Sequence, residues 1–264
     1  MKHLWNYSLL GLAISLALYL PYHFLSDAPY FGDLADALLI ATVSFGTLCA
    51  YRTYNSFERA RDAEAEAFLF LTVGLALWLA AEVTWTFYEI VLSIDAPVPS
   101  VADTFWLVGY LPFTYGLYLV FEKVEFHKKA AAIAIVIYAV LGIILVPFLQ
   151  DTIIKGDAGI LSNLVNSAYV LLDAVLLALS VPLLVLAITS PIGRAWALIA
   201  FSILVGAIAD IWFAQLNALD AYTPDHIVNY LYMLDYFWFG IGALLYLQEK
   251  KEQETEKISK TKLR

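Results

Sequence analysis

The chain has 264 residues, 62% of them hydrophobic and 15% aromatic, with a formal net charge of −9 and one cysteine. Soluble domains use nearer half apolar residues, so this composition excludes a water-soluble enzyme and points to solvation by a bilayer. The acidic balance would repel nucleic acid, and the lone Cys49 rules out a disulfide within the chain.

Eight apolar runs follow one another, at approximately 4–23, 34–51, 67–92, 101–121, 130–149, 160–188, 195–219 and 227–247. Each is long enough to cross a hydrocarbon layer of about 30 Å at about 1.5 Å per residue. The first run ends in Leu20-Pro21-Tyr22-His23 without a small-x-small cleavage site, which predicts a retained anchor. If every run spans, fourteen of the fifteen Lys and Arg residues fall on one side: Lys2, then Arg52, Arg59 and Arg61, then Lys123, Lys128 and Lys129, then Arg194, then the six of the tail. Only Lys155 falls on the other. Basic residues stay inside during insertion, so the sequence predicts an all-α integral membrane protein of the cell membrane, with eight transmembrane helices and both termini cytoplasmic. Residues 1–247 form one membrane domain, and 248–264 form a charged cytoplasmic tail.

The runs also repeat. Ala81-Glu82 corresponds to Ala209-Asp210, Asp95-Ala96 to Asp220-Ala221, Pro99 to Pro224, Asp103 to Asn229, Trp106 to Tyr232, Tyr110 to Tyr236, Phe113 to Phe239 and Gly116 to Gly242. A weaker match pairs Asp36-Ala37 with Asp173-Ala174. These matches predict a parallel 4+4 internal repeat, with halves of about 1–125 and 126–247 related by an axis along the membrane normal.

Carboxylates lie within the runs with no Lys or Arg at comparable depth. On the third run Glu82, Trp85, Thr86 and Glu89 share a helical face; on the seventh, Asp210, Phe213 and Asn217 do. The fourth presents Asp103, Trp106, Tyr110 and Phe113, and the eighth presents Tyr232, Asp235 and Tyr236. Asp173 enters the same zone from the sixth. An ionisable group facing lipid is costly, so these acids are expected to face the bundle interior, either as hydrogen-bonded glue between helices or as a site for a small cation. The candidate ligand-binding set is Glu82, Trp85, Glu89, Trp106, Tyr110, Asp173, Asp210, Tyr232, Asp235 and Tyr236. Asp36 and Asp103, at the outer starts of helices, are expected to act as caps.

Trp5, Tyr7, Tyr22, Tyr30, Tyr51, Tyr54 and Tyr246 fall near predicted interfaces as belt residues, and Gly109, Gly116, Gly240 and Gly242 are expected to permit close helix approach. No lysine lies within a run to carry retinal. His3, His23, His127 and His226 all sit at run ends or in loops, so no haem-type histidine pair exists and no cofactor is expected. His226 near Asp225 and Asp220 is the nearest approach to an outer metal site, and the identity of any metal is open. No catalytic motif is present, so no enzymatic activity is expected.

The segment from Asp95 to Tyr110, preceded by Ala81-Glu82 and Trp85, resembles the multi-pass membrane region found in front of many archaeal and bacterial histidine kinases and diguanylate cyclases. The residues carrying the likeness are Pro99, Ser100, Ala102, Asp103, Trp106, Gly109 and Tyr110. It is specific over roughly 75–120 and implies membrane sensing of an undefined stimulus, here in a freestanding copy. The leading expectation is a sensory, ligand-binding module whose acid- and aromatic-lined cavity opens to the outer face and signals through a cytosolic partner. The alternatives are a small-cation or proton-coupled transporter or channel, and a structural membrane subunit. The expected partners are the lipid bilayer, a cytosolic signalling protein, a small cationic ligand or ion, and a second copy of the chain.

Overall fold

The computed structural model describes residues 2–57, 63–94, 96–97, 99–123, 159–189, 193–219, 221–223 and 225–262, with scattered helical positions between 132 and 143. The long helices are α1 (Lys2–Phe24), α2 (Phe31–Tyr54), α3 (Ala63–Thr86), α4 (Val101–Phe121), α5 (Ile160–Thr189), α6 (Gly193–Ala218) and α7 (Val228–Lys262). A π-helical turn over Phe87–Val91 prolongs α3. Six stretches are long and apolar enough to cross a membrane: Phe31–Tyr54, Ala63–Val91, Val101–Phe121, Ile160–Leu184, Gly193–Asn217 and Val228–Glu256. Six of the eight expected spans therefore have counterparts. The first run supplies a shorter apolar stretch, Leu9–Phe24, and more than half of the fifth, 130–149, lies outside the described residues. From that run, Tyr138 donates its hydroxyl to the carbonyl of Ala178 on α5.

Each helix from α2 to α7 packs on the next, and α7 returns to α2, so six helices close into a ring with α1 set against α7. Outward faces are apolar: Leu12 and Leu16 of α1, Leu111 of α4 and Leu164 and Leu171 of α5 are all exposed. In lipid such faces gain nothing by meeting each other, so helix contact depends on close packing and hydrogen bonds. Small residues supply the first. A Cβ on Gly116 of α4 would stand 2.8 Å from the carbonyl oxygen of Ala67 on α3, and one on Gly242 of α7 would stand 3.1 Å from that of Ala195 on α6. Gly109 lies against Trp78, and Gly240 against Phe45 and Gly46, so all four glycines expected at close approaches are found there. Across α2 and α7, the Thr53 hydroxyl lies 2.9 Å from the Cys49 carbonyl and 3.0 Å from that of Ala243. Cys49 itself is buried, as a small core residue.

Two expected belt residues belong to the interior. Tyr246 is 1% exposed, packs with Phe68 and Trp196, and donates its hydroxyl to Glu64. Tyr22 is 6% exposed, with its ring edge-on to Phe31. Both sit near helix ends, where sequence position alone cannot separate a ring facing headgroups from one turned into the bundle. Tyr30 and Tyr51 are exposed, as a belt requires.

Candidate functional site

The ring encloses a cavity of about 100 Å³ in the half of the bundle where α2, α4, α5 and α7 begin and α3 and α6 end. Among the described residues six carboxylic acids line it, namely Asp36, Glu82, Asp103, Asp173, Asp210 and Asp235, and no Lys, Arg or His does. The four acids Glu82, Asp173, Asp210 and Asp235 of the expected set are thus brought together. Trp85 and Trp106 join them, as do Tyr110, Tyr232 and Tyr236.

Glu89 is not among the lining residues. The stripe Glu82-Trp85-Thr86-Glu89 assumes 3.6 residues per turn, whereas the π-helical turn at Phe87–Val91 widens the helix and rotates the side chains within it away from that stripe. Glu89 is aimed instead at Asp36, with which it forms a side-chain hydrogen bond. Just beyond, Ser93 has φ of 53°, in the left-handed region, where the chain turns away from the helix.

Hydrogen bonds join the acids to tyrosines across the ring in a reciprocal pattern. Tyr236 of α7 donates to Glu82 Oε1 of α3 at 2.9 Å, and the same oxygen lies 3.3 Å from Trp106 Nε1 of α4. Correspondingly, Tyr110 of α4 lies 3.1 Å from Asp210 Oδ2 of α6, whose Oδ1 accepts from Tyr232 of α7 at 2.7 Å. Tyr110 also donates to Asp173 Oδ1 of α5 at 2.6 Å. Each central acid therefore meets one aromatic donor from the helix that follows it and one from the opposite side of the ring.

Asp103 combines two roles. Its Oδ2 accepts from the Ser100 backbone N–H at 2.6 Å, closing a capping box at the start of α4, as expected of a cap. Its Oδ1 accepts from Tyr169 of α5 at 2.8 Å, so the cap also forms part of the cavity wall. Asp36 does not act as a cap. α2 starts at Phe31 with no side-chain cap, which places Asp36 inside the helix, 3% exposed and facing the cavity. Its match to Asp173 is the signal in the sequence, masked when α2 is taken to begin three residues later.

Trp78, Asn166, Tyr169 and Tyr222 also line the cavity, outside the expected set. Trp78 and Tyr169 share helical faces with members of that set, four positions before Glu82 and before Asp173. Tyr222 has no such marker. It stands in the connection between α6 and α7, its ring against Phe213 at 4.8 Å and Trp85 at 6.2 Å, with its hydroxyl 3.2 Å from Asn229 Nδ2. With Trp106 these rings form an aromatic layer over one end of the cavity. Burial, and then the nearby Glu89, push the Tyr222 hydroxyl well above the ordinary phenol range. In the same connection burial holds His226 below the ordinary imidazole range, against the opposing pull of Asp225. Its Nδ1 accepts from the Val228 N–H at 3.1 Å at the start of α7. Among the described residues no three acid, His or Cys side chains converge to hold a metal ion, and the outer metal grouping falls partly on Asp220, outside those residues.

The residues that carry the likeness to sensor regions have structural work within this site. Ser100 and Asp103 cap α4, Trp106 reaches Glu82, Gly109 accommodates Trp78, and Tyr110 reaches the two acids of α5 and α6. Fold and site together define a class: a helical membrane protein with several apolar spans around an acid- and aromatic-lined cavity. No protein-family model, no curated protein and no solved structure matches the chain.

Proposed function

We propose that the chain is a membrane sensory module that takes up a small cationic ligand in the cavity and passes its occupancy to a cytosolic partner. The observation that carries this reading is the continuity of α7. One helix of 35 residues holds Tyr232, Asp235 and Tyr236 at the cavity and runs unbroken through Lys262. Six acids with no basic side chain among the described lining residues favour a cation, and the surrounding indole and phenol faces favour it further. The orientation adopted is the one basic-residue asymmetry predicts: plasma membrane, cavity half outward, both termini inside. The likeness to sensor regions of kinases and cyclases supports the same reading.

The same proposal includes a duplication relating α2–α4 to α5–α7. Its support is reciprocal: Gly116 against Ala67 matches Gly242 against Ala195, and the cross-ring bond Tyr236 to Glu82 matches Tyr110 to Asp210. Transport is the competing reading, favoured by Pro112 within α4 and Pro182 within α5, since prolines weaken spanning helices where transporters bend.

The test is a probe on the tail. With Cys49 replaced by Ser, Gln253→Cys would carry a nitroxide label on α7, and the protein would be reconstituted in vesicles. Addition of small ammonium ions such as ethylammonium is expected to change the label's spectrum without carrying radiolabelled cation into the lumen. Sustained uptake with a silent label would replace the sensory reading by transport.

A further inference from the structure

The polar wall of the cavity is uneven. On one side, Glu82 has aromatic donors from α4 and α7. On the other, Asp173 and Asp210 meet at one donor, the Tyr110 hydroxyl, which lies 2.6 Å from Asp173 Oδ1 and 3.1 Å from Asp210 Oδ2. A phenol carries one proton, so Tyr110 can donate to only one of them at a time, while Tyr232 donates to the outer oxygen of Asp210. Two carboxyl groups gathered on one phenol, with no basic side chain among the described lining residues, repel when both are ionised, and therefore the pair holds a proton of its own. Asp173 is 4% exposed, and its Oδ2 is buried without a hydrogen-bond donor.

Among the described residues the facing groups offer no cation. α2 presents Asp36, α3 Glu82, α4 Asp103 and Tyr110, α5 Tyr169, and α7 Tyr232, Asp235 and Tyr236. We propose that the Asp173–Asp210 pair is the anchoring subsite for a small organic ammonium ion bearing N–H bonds, which binds by displacing the proton the pair shares. This rests on the ligand-binding reading above and specifies its chemistry. The incoming ammonium donates N–H bonds to Asp173 Oδ2 and to Asp210, the displaced proton leaves to solvent, and the charge within the cavity is unchanged.

Size limits the ligand. A cavity of about 100 Å³ is somewhat smaller than the roughly 150 Å³ engineered cavity that accepts benzene, so the ion has only a few heavy atoms. The oxygen in want of a donor selects an ammonium with hydrogens over a quaternary one, which could use only the aromatic faces.

Calorimetry of ethylammonium with the purified protein, in two buffers of different ionisation enthalpy at pH 7, tests this directly. Release of about one proton per ligand is expected, with affinity falling about tenfold for each unit of pH below that. Tetramethylammonium is expected to bind at least tenfold more weakly. Asp173→Asn should bind with no proton release, and Tyr110→Phe, which leaves both acids in place, should weaken binding while keeping the release. Absence of ethylammonium binding, binding without proton release in the unaltered protein, equal affinity for tetramethylammonium, or proton release surviving in Asp173→Asn would each overturn the proposal. The buffer comparison needs no variant and so does not depend on Asp173→Asn folding. Binding with proton release but a silent label on α7 would sink the sensory reading and leave this one standing; a label that responds to other cations, with no response or heat from ethylammonium, would do the reverse.

Discussion

The α3–α4 pair and the α6–α7 pair are built on the same contacts, yet they fill the space beside the cavity in opposite ways. In the first, the Trp78 ring lies on Gly109, and a Cβ there would stand 2.6 Å from Trp78 Cδ1. At the same offsets from the central acids and tyrosines, the second pair has Gly206 and Asp235, and a Cβ on Gly206 would collide with the Asp235 carboxylate. Large against small becomes small against acid. Ser202, which takes the place of Gly74, gives its hydroxyl to the Ile199 carbonyl at 2.8 Å and stands beside Asp235. The exchange moves an aromatic plug out of one side and an acid into it, so a nearly symmetric ring acquires one apolar flank and one acidic flank.

The strongest way to break this comparison is to impose the first arrangement on the second. Gly206→Trp should destabilise the protein by at least about 3 kcal/mol through overpacking against Asp235. Adding Asp235→Gly should recover at least half of the loss in a double-mutant cycle followed by thermal unfolding in detergent. No recovery would show that the two positions are not exchanged counterparts.

A milder comparison uses the glycines at the other end of each pair. Gly116→Ala and Gly242→Ala should each cost about 1–3 kcal/mol, the former more, because its nearest obstacle is a backbone carbonyl rather than a side chain that can shift. Smaller still is the contrast between the two cross-ring tyrosines. Tyr236→Phe should cost about 1 kcal/mol, and Tyr110→Phe more, since Tyr110 meets two acids and Tyr236 one. Equal losses would mean that the Asp173 contact adds nothing.

The smallest effect concerns the connection that bears the aromatic layer. His226 accepts the Val228 N–H only when neutral, and its folded-state pKa is lowered. The unfolded chain therefore takes up the proton first as pH falls, and the start of α7 should lose stability through the ordinary imidazole range and below, keeping it above that range. Titration of the imidazole by NMR, with hydrogen exchange at Val228, should show a low pKa and faster exchange in acid. The same titration in His226→Gln should show neither.

Much of this architecture is legible in the chain because hydropathy marks the spans, and because a buried acid in a span must face inward, as Glu82, Asp173, Asp210 and Asp235 all do. Local geometry escaped where it departs from ideal periodicity. One π-helical turn re-aims Glu89, and a helix that starts at Phe31 rather than Leu34 turns Asp36 from an expected cap into a wall residue. Tyr222 was illegible for another reason: a residue in a connection has no period, so its place above Phe213 depends on how two helices are brought together.

If the cavity takes up a ligand as proposed, the length of α7 would make it a lever. From Tyr236 at the cavity to Lys262 at its far end are 26 residues, roughly 39 Å of rigid rod. A tilt of only about 5° around Tyr236 would swing that end by about 3 Å on the same geometry. On the sensory reading, the exposed last turns, which carry a Lys260–Glu256 pair at 3.5 Å, would turn a small displacement at the cavity into one that a docked protein could read.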